Sequence, residues 1–497
     1  MRILVLSVLS SLFLVPAAAW GQAPPDSPPP VPSPPPDLSV APPEPPKPPA
    51  AAVVAPKPSS MTARWDHGAW LETADKAFRI HVGGRTQFDA VGSWSDDNVR
   101  AASPGGIGPF NDAVNFRRAR LEIDGWLFGV VDFFFEYDFL NTFDSGKMVD
   151  PQDDFGGRTL NTPVPTDLWM SVNHIPFIRT LRAGNMKPPI GFEHLTSSRF
   201  LGLLERSYQF DAFIENGDNG FAPGIQLLDW TEDQRLTFQI GVFSNSRSIF
   251  GWNVGNDEWQ YVGRVTGLPW YEEGGRFMLH LGVGASYDGL DDGNTRYRAR
   301  PLLRNGPAAL HNIVAVARLD ADHQVRVNPE LFVNLGPLSL QTEYTAVWVS
   351  DVTRILQTPT QSNVVLSPTG FFAHGVYAEA QYFLTGEHRQ YGKTGLHGSG
   401  AATGRVTPRH NVGWGEHASA SGGGIGAWQL GARYSYLDLT DGAILGGRLH
   451  DVTAGLSWYL NPNFKIQANY SHGWRRIAGS TASGSFQQAG VTFRADI

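Results

Sequence analysis

The 497-residue chain has no cysteine, and only seven of its 39 lysines and arginines are lysine. Charged residues make up 17% of it. Beyond the first residues, no stretch approaches the ~20 apolar residues that a membrane-crossing helix needs. Each shortage excludes something. An exported chain without cysteine is not a small disulfide-stapled scaffold. A chain without a long apolar run has no helical membrane anchor. The formal charge of −8 is too small over this length to point to nucleic acid, and no nucleic-acid partner is expected. Neither a spaced metal motif nor a nucleophile motif is present, so no cofactor, no metal and no enzymatic activity are expected.

What is present begins with Arg2, an apolar run over residues 3–15 and small residues up to Ala23, the layout of a secretory signal peptide cut near Ala19 or Ala23. Residues 24–58 hold 17 of the 36 prolines. Such a segment packs no core and runs as an extended, disordered spacer, either a plain linker or a strut reaching the cell wall. The expected division is a signal peptide at 1–23, a Pro-rich spacer at 24–60, a short periplasmic segment at 61–77 and a barrel domain at 78–497.

From Phe78 onward the signal is alternation. In "NFRRARLEIDGW" (115–126), Arg118, Arg120, Glu122 and Asp124 share one parity, and Ala119, Leu121, Ile123 and Gly125 share the other. As a strand this segment has one charged face and one apolar face. About sixteen such segments follow one another, starting near 78, 113, 130, 167, 180, 221, 235, 259, 276, 325, 337, 371, 427, 450, 463 and 486. Tight joins near 128, 176, 231, 270, 336 and 461 alternate with long ones such as 141–166, 188–220, 287–324 and 439–449. Short turns on one side and long loops on the other are the pattern of an outer-membrane barrel. The fold class expected is all-β, a 16-stranded antiparallel transmembrane β-barrel with the charged parity facing a wet lumen and the apolar parity facing lipid.

Three stretches stand out. Arg117 breaks the alternation beside Arg118, so it is expected near the rim or outside the spanning part. Residues 385–425 are long where a short turn is due, an insertion or an uncounted strand. Residues 188–220 open on Pro188 and Pro189 and then show a short amphipathic helical pattern over 196–206. This third loop is too long for a hairpin and is expected to fold inward and narrow the barrel. Lys187, Glu193, Arg199, Glu205 and Arg206 would then lie at the constriction, with Arg79, Arg85, Arg118, Arg120 and Arg264 on the wall. Arginine keeps its charge and forks onto phosphate or carboxylate.

The segments "GNMKPPIGFEHLTSSRFLGLLERS" (184–207), "GRTQFD" (84–89), "FRRARLEIDG" (116–125), "GRVTGLPW" (263–270), "GPLSLQTEY" (336–344), "YFLTGEHRQY" (382–391) and "LSWYLNPNFKIQANY" (456–470) resemble, in this order, the phosphate-selective porin O/P family. The resemblance runs from about residue 78 to 497. It implies a trimeric sixteen-stranded channel with a ladder of arginines leading to a basic constriction for phosphate or pyrophosphate. Matching motifs put Arg85, Arg117, Arg118 and Arg264 at ladder positions and Lys187 where the inward loop begins. Two features depart from the family: lysine is scarce, and the chain ends on Ile497 rather than on an aromatic residue.

The leading expectation is therefore a passive porin for phosphate-like or other small anions, with Arg85, Arg117, Arg118, Arg120, Lys187, Arg199, Arg206 and Arg264 as pore residues. Its partners would be outer-membrane lipid, small anions, two further copies of the chain and, through the Pro-rich arm, the cell wall. The alternatives are an unselective or carbohydrate-type pore, and a structural protein tethered to the wall. An enzyme built on Asn173 and His174, or on His388, His397, His410 and His417, is the remotest reading. The acidic pairs Asp96 and Asp97, Asp153 and Asp154, and Asp291 and Asp292 lie in long loops and are read as exposed charge rather than ion sites.

Overall fold

The computed structural model describes residues 60–101, 105–140, 164–215, 220–244, 259–290, 295–304, 312–355, 364–394, 399–413 and 423–497. The signal peptide and Pro-rich spacer up to residue 59, the pairs Asp153/Asp154 and Asp291/Asp292, and His397 and His417 lie outside the described residues.

The main sheet holds nineteen strands, and sixteen of them form a closed wall. The first eight are β1 (Phe78–Ser95), β2 (Ala113–Leu127), β3 (Val131–Asp138), β4 (Val164–Asn173), β5 (Thr180–Met186), β6 (Ala222–Trp230), β7 (Leu236–Ser244) and β8 (Trp259–Glu272). The others are β9 (Phe277–Gly289), β10 (His323–Leu335), β11 (Leu338–Ile355), β12 (Val364–Phe383), β13 (Ala427–Asp441), β14 (Ile444–Asn461), β15 (Phe464–Arg476) and β16 (Gly484–Asp496). Each pairs antiparallel with the next. β16 closes on β1 from Phe486↔Ser95 to Asp496↔Arg85. Ile497 and Gly84 then exchange two backbone hydrogen bonds of 2.6 and 2.8 Å. Closure satisfies every edge, as a sheet in hydrocarbon must.

Alternation sets the two faces. Leu236, Phe238, Ile240 and Val242 of β7 are 38–58% exposed on the outside, while Thr237 and Gln239 between them are 3% and 5% exposed on the inside. The faces divide the same way in β2: Arg118, Glu122 and Asp124 are buried, and Leu121 and Ile123 are exposed. All sixteen expected segments are strands, although β12 and β14 start at Val364 and Ile444, several residues before the alternation becomes clear.

The structure corrects three local expectations and decides a fourth. Arg117 is not a rim residue. Gln87 pairs with Arg118 and Phe88 with Phe116, so Arg117 is the extra residue of a β-bulge. The bulge lets two neighbouring arginines turn inward, and Arg117 Nε donates to Glu205 at 3.0 Å. The 439–449 loop is a two-residue turn, because β13 and β14 run on and pair to Asp441↔Ile444. Of the two alternatives for residues 385–425 the insertion holds, and its described residues fold back into the lumen. Within it Tyr391–Gly392 pairs with Ala402–Thr403, and Tyr391 stacks on Phe332 with centroids 6.2 Å apart. The helical pattern over 196–206 does not form a helix: only a single turn (Ser198–Phe200) lies there, and the loop's longer helix, α1, is Tyr208–Phe213. Walls and neighbouring loops surround this segment on all sides, so no one-sided helix face is needed.

Before the barrel, Met61–Trp65 and Ala69–Thr73 form a hairpin that adds to β1, residues 69–72 against 79–82. The Thr73 hydroxyl and the Ala77 N–H hold the Asp75 carboxyl below its usual value at the turn into β1. The largest apolar core lies inside the long-loop end of the barrel. There Tyr208 and Phe213 of α1 pack with Tyr297, Leu302 and Ile313 of the β9–β10 loop.

Candidate channel constriction

The third loop leaves β5 at Met186. Two prolines, which cannot donate to a ladder, end the strand. The chain turns inward at Gly191, where φ is +79° and a side chain would press on the Glu343 carboxylate. Glu343 accepts the backbone N–H groups of Phe192 (3.0 Å) and Glu193 (2.7 Å) and the Tyr377 hydroxyl (2.6 Å). Glu193 in turn accepts the N–H (3.0 Å) and hydroxyl (2.7 Å) of Ser207, which draws the two halves of the loop together.

The far edge of the loop is fastened through its carbonyls. Lys465 Nζ donates to the carbonyls of Arg199 (2.8 Å) and Leu201 (3.0 Å). Arg494 donates to those of Ser198 (2.9 Å) and Leu204 (2.8 Å). On the other flank Arg199 forks onto Glu122 and reaches Glu136 at 3.1 Å. The inserted segment between β12 and β13 enters from the short-turn side. Its Ala401 carbonyl accepts from Arg264 at 3.0 Å, and its Arg389 donates to Gln341 at 2.8 Å.

Two open spaces remain beside the loop. One, of about 900 Å³, lies against β1–β6 and is lined by seven basic and four acidic side chains. The other, of about 500 Å³, lies toward the short-turn end and is lined by six basic side chains and one acid, Asp496. Arg85, Arg118, Ser198 and Arg199 line both, so the two meet there. At that junction the Nε–H groups of Arg85 and Arg199 have no protein partner, and neither does that of Arg494 beside them.

Of the expected pore residues, Arg85, Arg118, Arg120, Lys187, Arg199 and Arg206 line the larger space. Arg117 stands behind it, paired with Glu205. Arg264 lines neither. It is fully buried against Glu330 at 2.5 Å, with His280 3.0 Å from the same carboxylate. Arg182, Lys465, Arg494 and Arg405 were not singled out in the sequence, although all line one space or the other. The alternation within β15 puts Lys465 on the inner face. What it could not show is that β15 and β16 face the loop. Asn173 and His174 close β4 at a short turn, where Asn173 accepts the Thr180 hydroxyl at 2.7 Å. His81, Glu122 and Asp124 converge closely enough to hold a metal ion, but Arg199 occupies Glu122.

Residues 91–496 match the family described as phosphate-selective porin O and P. Porin O of Pseudomonas aeruginosa is 25% identical over 433 residues, covering 81% of this chain and 84% of that protein. A protein of Caulobacter vibrioides described as uncharacterized is 28% identical over 310 residues, 61% of this chain and 55% of its own length, so the chain spans about half of that relative. Among solved structures, the outer membrane channel DcaP of Acinetobacter baumannii superposes with a TM-score of 0.47 at 10% identity, covering 86% of this chain and 99% of that one. OmpF of Salmonella typhi, solved with daunomycin, gives 0.47 at 11% identity, covering 87% and 100%. The family match spans nearly the whole barrel, and with it the chain belongs to the phosphate-selective porin O and P family, as a porin of the bacterial outer membrane.

Proposed function

We propose that the chain forms a water-filled, anion-preferring pore through which phosphate, pyrophosphate and similar small anions diffuse passively. The observation that carries this reading is how the cations around the third loop are held. Lys187 donates to the carbonyls of His194 (2.6 Å) and Thr196 (3.4 Å), and Arg206 to those of Glu193 (2.9 Å) and Thr196 (2.6 Å). Lys465 and Arg494 are held the same way on the other side of the loop. A carbonyl dipole orients a cation without cancelling its charge. None of these four has a carboxylate within ion-pair distance among the described residues. Both spaces therefore keep a positive excess, the arrangement by which pores favour anions.

The arginine ladder supports the path differently. Arg85 and Arg120 share Glu136 at 3.3 and 2.6 Å, and Arg117 and Arg118 share Glu205 at 3.0 and 3.3 Å. These pairs shape the wall and spend most of their charge on each other.

A carbohydrate-type pore is favoured by one observation: Phe134, Trp169, Phe210 and Phe221 line the larger space and could stack on sugar rings. Cations already sit over three of these rings, Arg182 at 3.5 Å from the Trp169 centroid, Arg206 at 4.7 Å from Phe210 and Lys187 at 5.8 Å from Phe221. That arrangement fits anions better than sugars. Family membership supports a homotrimer as the assembly. Reversal potentials of the purified protein in planar bilayers across a KCl gradient test the reading: a chloride-directed potential is expected, and a potential of zero or of cation sign overturns it.

A further inference from the structure

The outer surface of β12–β15 departs from the apolar rule near the long-loop end. Outward positions in register form one row of Val376, Tyr436, His450 and Trp474, and the next row toward that end is His374, Asp438, Arg448 and Arg476. In the opposite direction the rows become apolar, with Leu430, Leu456 and Ala468 aligned. Along the barrel axis the surface therefore runs from aliphatic through aromatic to guanidinium. The Tyr436 and His450 rings lie 4.8 Å apart, and the Tyr434 hydroxyl is 2.8 Å from His450 Nδ1. A shallow groove runs over this belt and is bordered by Arg448 and Arg476.

The two arginines are directly opposed across β14 and β15. Like charges in that relationship repel. Asp438 offsets part of this, 2.8 Å from Arg448 Nε, whose side chain is still 49% exposed. The Arg476 side chain, also exposed, makes no hydrogen bond or ion pair among the described residues. An anion between the guanidinium groups would relieve the repulsion, and the arginine fork suits phosphate. The long-loop end of a barrel is its outer-leaflet side.

We propose that this groove seats a phosphate-bearing, acylated lipid of the outer leaflet. The phosphate sits between Arg448 and Arg476, and the acyl chains run down the Leu430–Leu456 row past the aromatic belt. A free phosphate would use the arginines alone. The axial order from guanidinium to aliphatic fits an amphiphile.

The test titrates the full-length protein, in a neutral detergent, with bis-phosphorylated lipid A and with the same lipid stripped of phosphate, read by native mass spectrometry. The wild type should hold the phosphorylated lipid roughly tenfold more tightly than an Arg448→Ala/Arg476→Ala variant, with the oligomer mass unchanged in both. It should hold the stripped lipid no better than the variant does. Equal retention of phosphorylated lipid by wild type and variant overturns the site. Loss of the oligomer in the variant overturns it too, and assigns this face to a contact between copies. Should the double variant fail to fold, Arg476→Gln alone, at a side chain with no protein partner to lose, must weaken retention or the proposal fails. Reversal potentials should not move in either variant, since both side chains face away from the lumen.

Discussion

Thr403 donates its backbone N–H to Thr196 Oγ1 across 3.3 Å, joining two segments that enter the barrel from opposite ends. Thr196 belongs to the third loop, which descends from the long-loop side. Thr403 belongs to the insertion after β12, which rises from the short-turn side. The lumen is narrowed where they meet, and the two open spaces skirt the contact.

Replacing residues 387–424 with a short turn should leave the barrel assembled, because β12 and β13 pair from His374↔Asp438 to Phe383↔Gln429 without the insertion. Single-channel conductance should rise roughly twofold or more as the cross-section opens. An unchanged conductance would mean that the insertion does not limit flow.

Arg264 and the pair Lys465 and Arg494 should behave oppositely. Arg264→Ala strands the buried Glu330 carboxylate, which costs about 3–5 kcal/mol. The melting temperature should fall while the reversal potential stays near that of the wild type. Lys465→Gln with Arg494→Gln removes two uncompensated charges and should shift the reversal potential toward zero. A selectivity change in the Arg264 variant alone would reverse these assignments.

Glu205→Gln should increase anion preference. The carboxylate is shared by Arg117 and Arg118, and its neutral replacement releases both charges into the junction. Reversal potentials in chloride and phosphate salts measure this directly, and a shift toward cations would contradict it.

Glu343→Ala removes the acceptor for the N–H groups of Phe192 and Glu193 and for the Tyr377 hydroxyl. Each donor left without a partner costs about 1–3 kcal/mol. The third loop should loosen at its root, read as greater open-channel noise and faster proteolysis within 188–220. A quiet, protease-resistant channel would show that the prolines and the Lys465 and Arg494 contacts suffice to hold it.

Much of the wall was legible. "NFRRARLEIDGW" could be assigned an inside and an outside because neighbouring side chains of one strand must meet different solvents. Arg117 misled the same rule, since a bulge adds a residue without changing composition. The 385–425 insertion was visible only as a misfit in turn length. Its inward path depends on Tyr391 finding Phe332, 59 residues earlier in the chain.

What the sequence alone determined is the sidedness of the barrel and its closure near sixteen strands, because a period of two between water and hydrocarbon is a local property of each segment. Which cations remain uncompensated was decided only by the tertiary structure. Arg118 meets Glu205 across 87 residues, and Lys465 meets the Arg199 carbonyl across 266. Charge in a pore is a sum over such distant neighbours, and no local pattern in the chain records it.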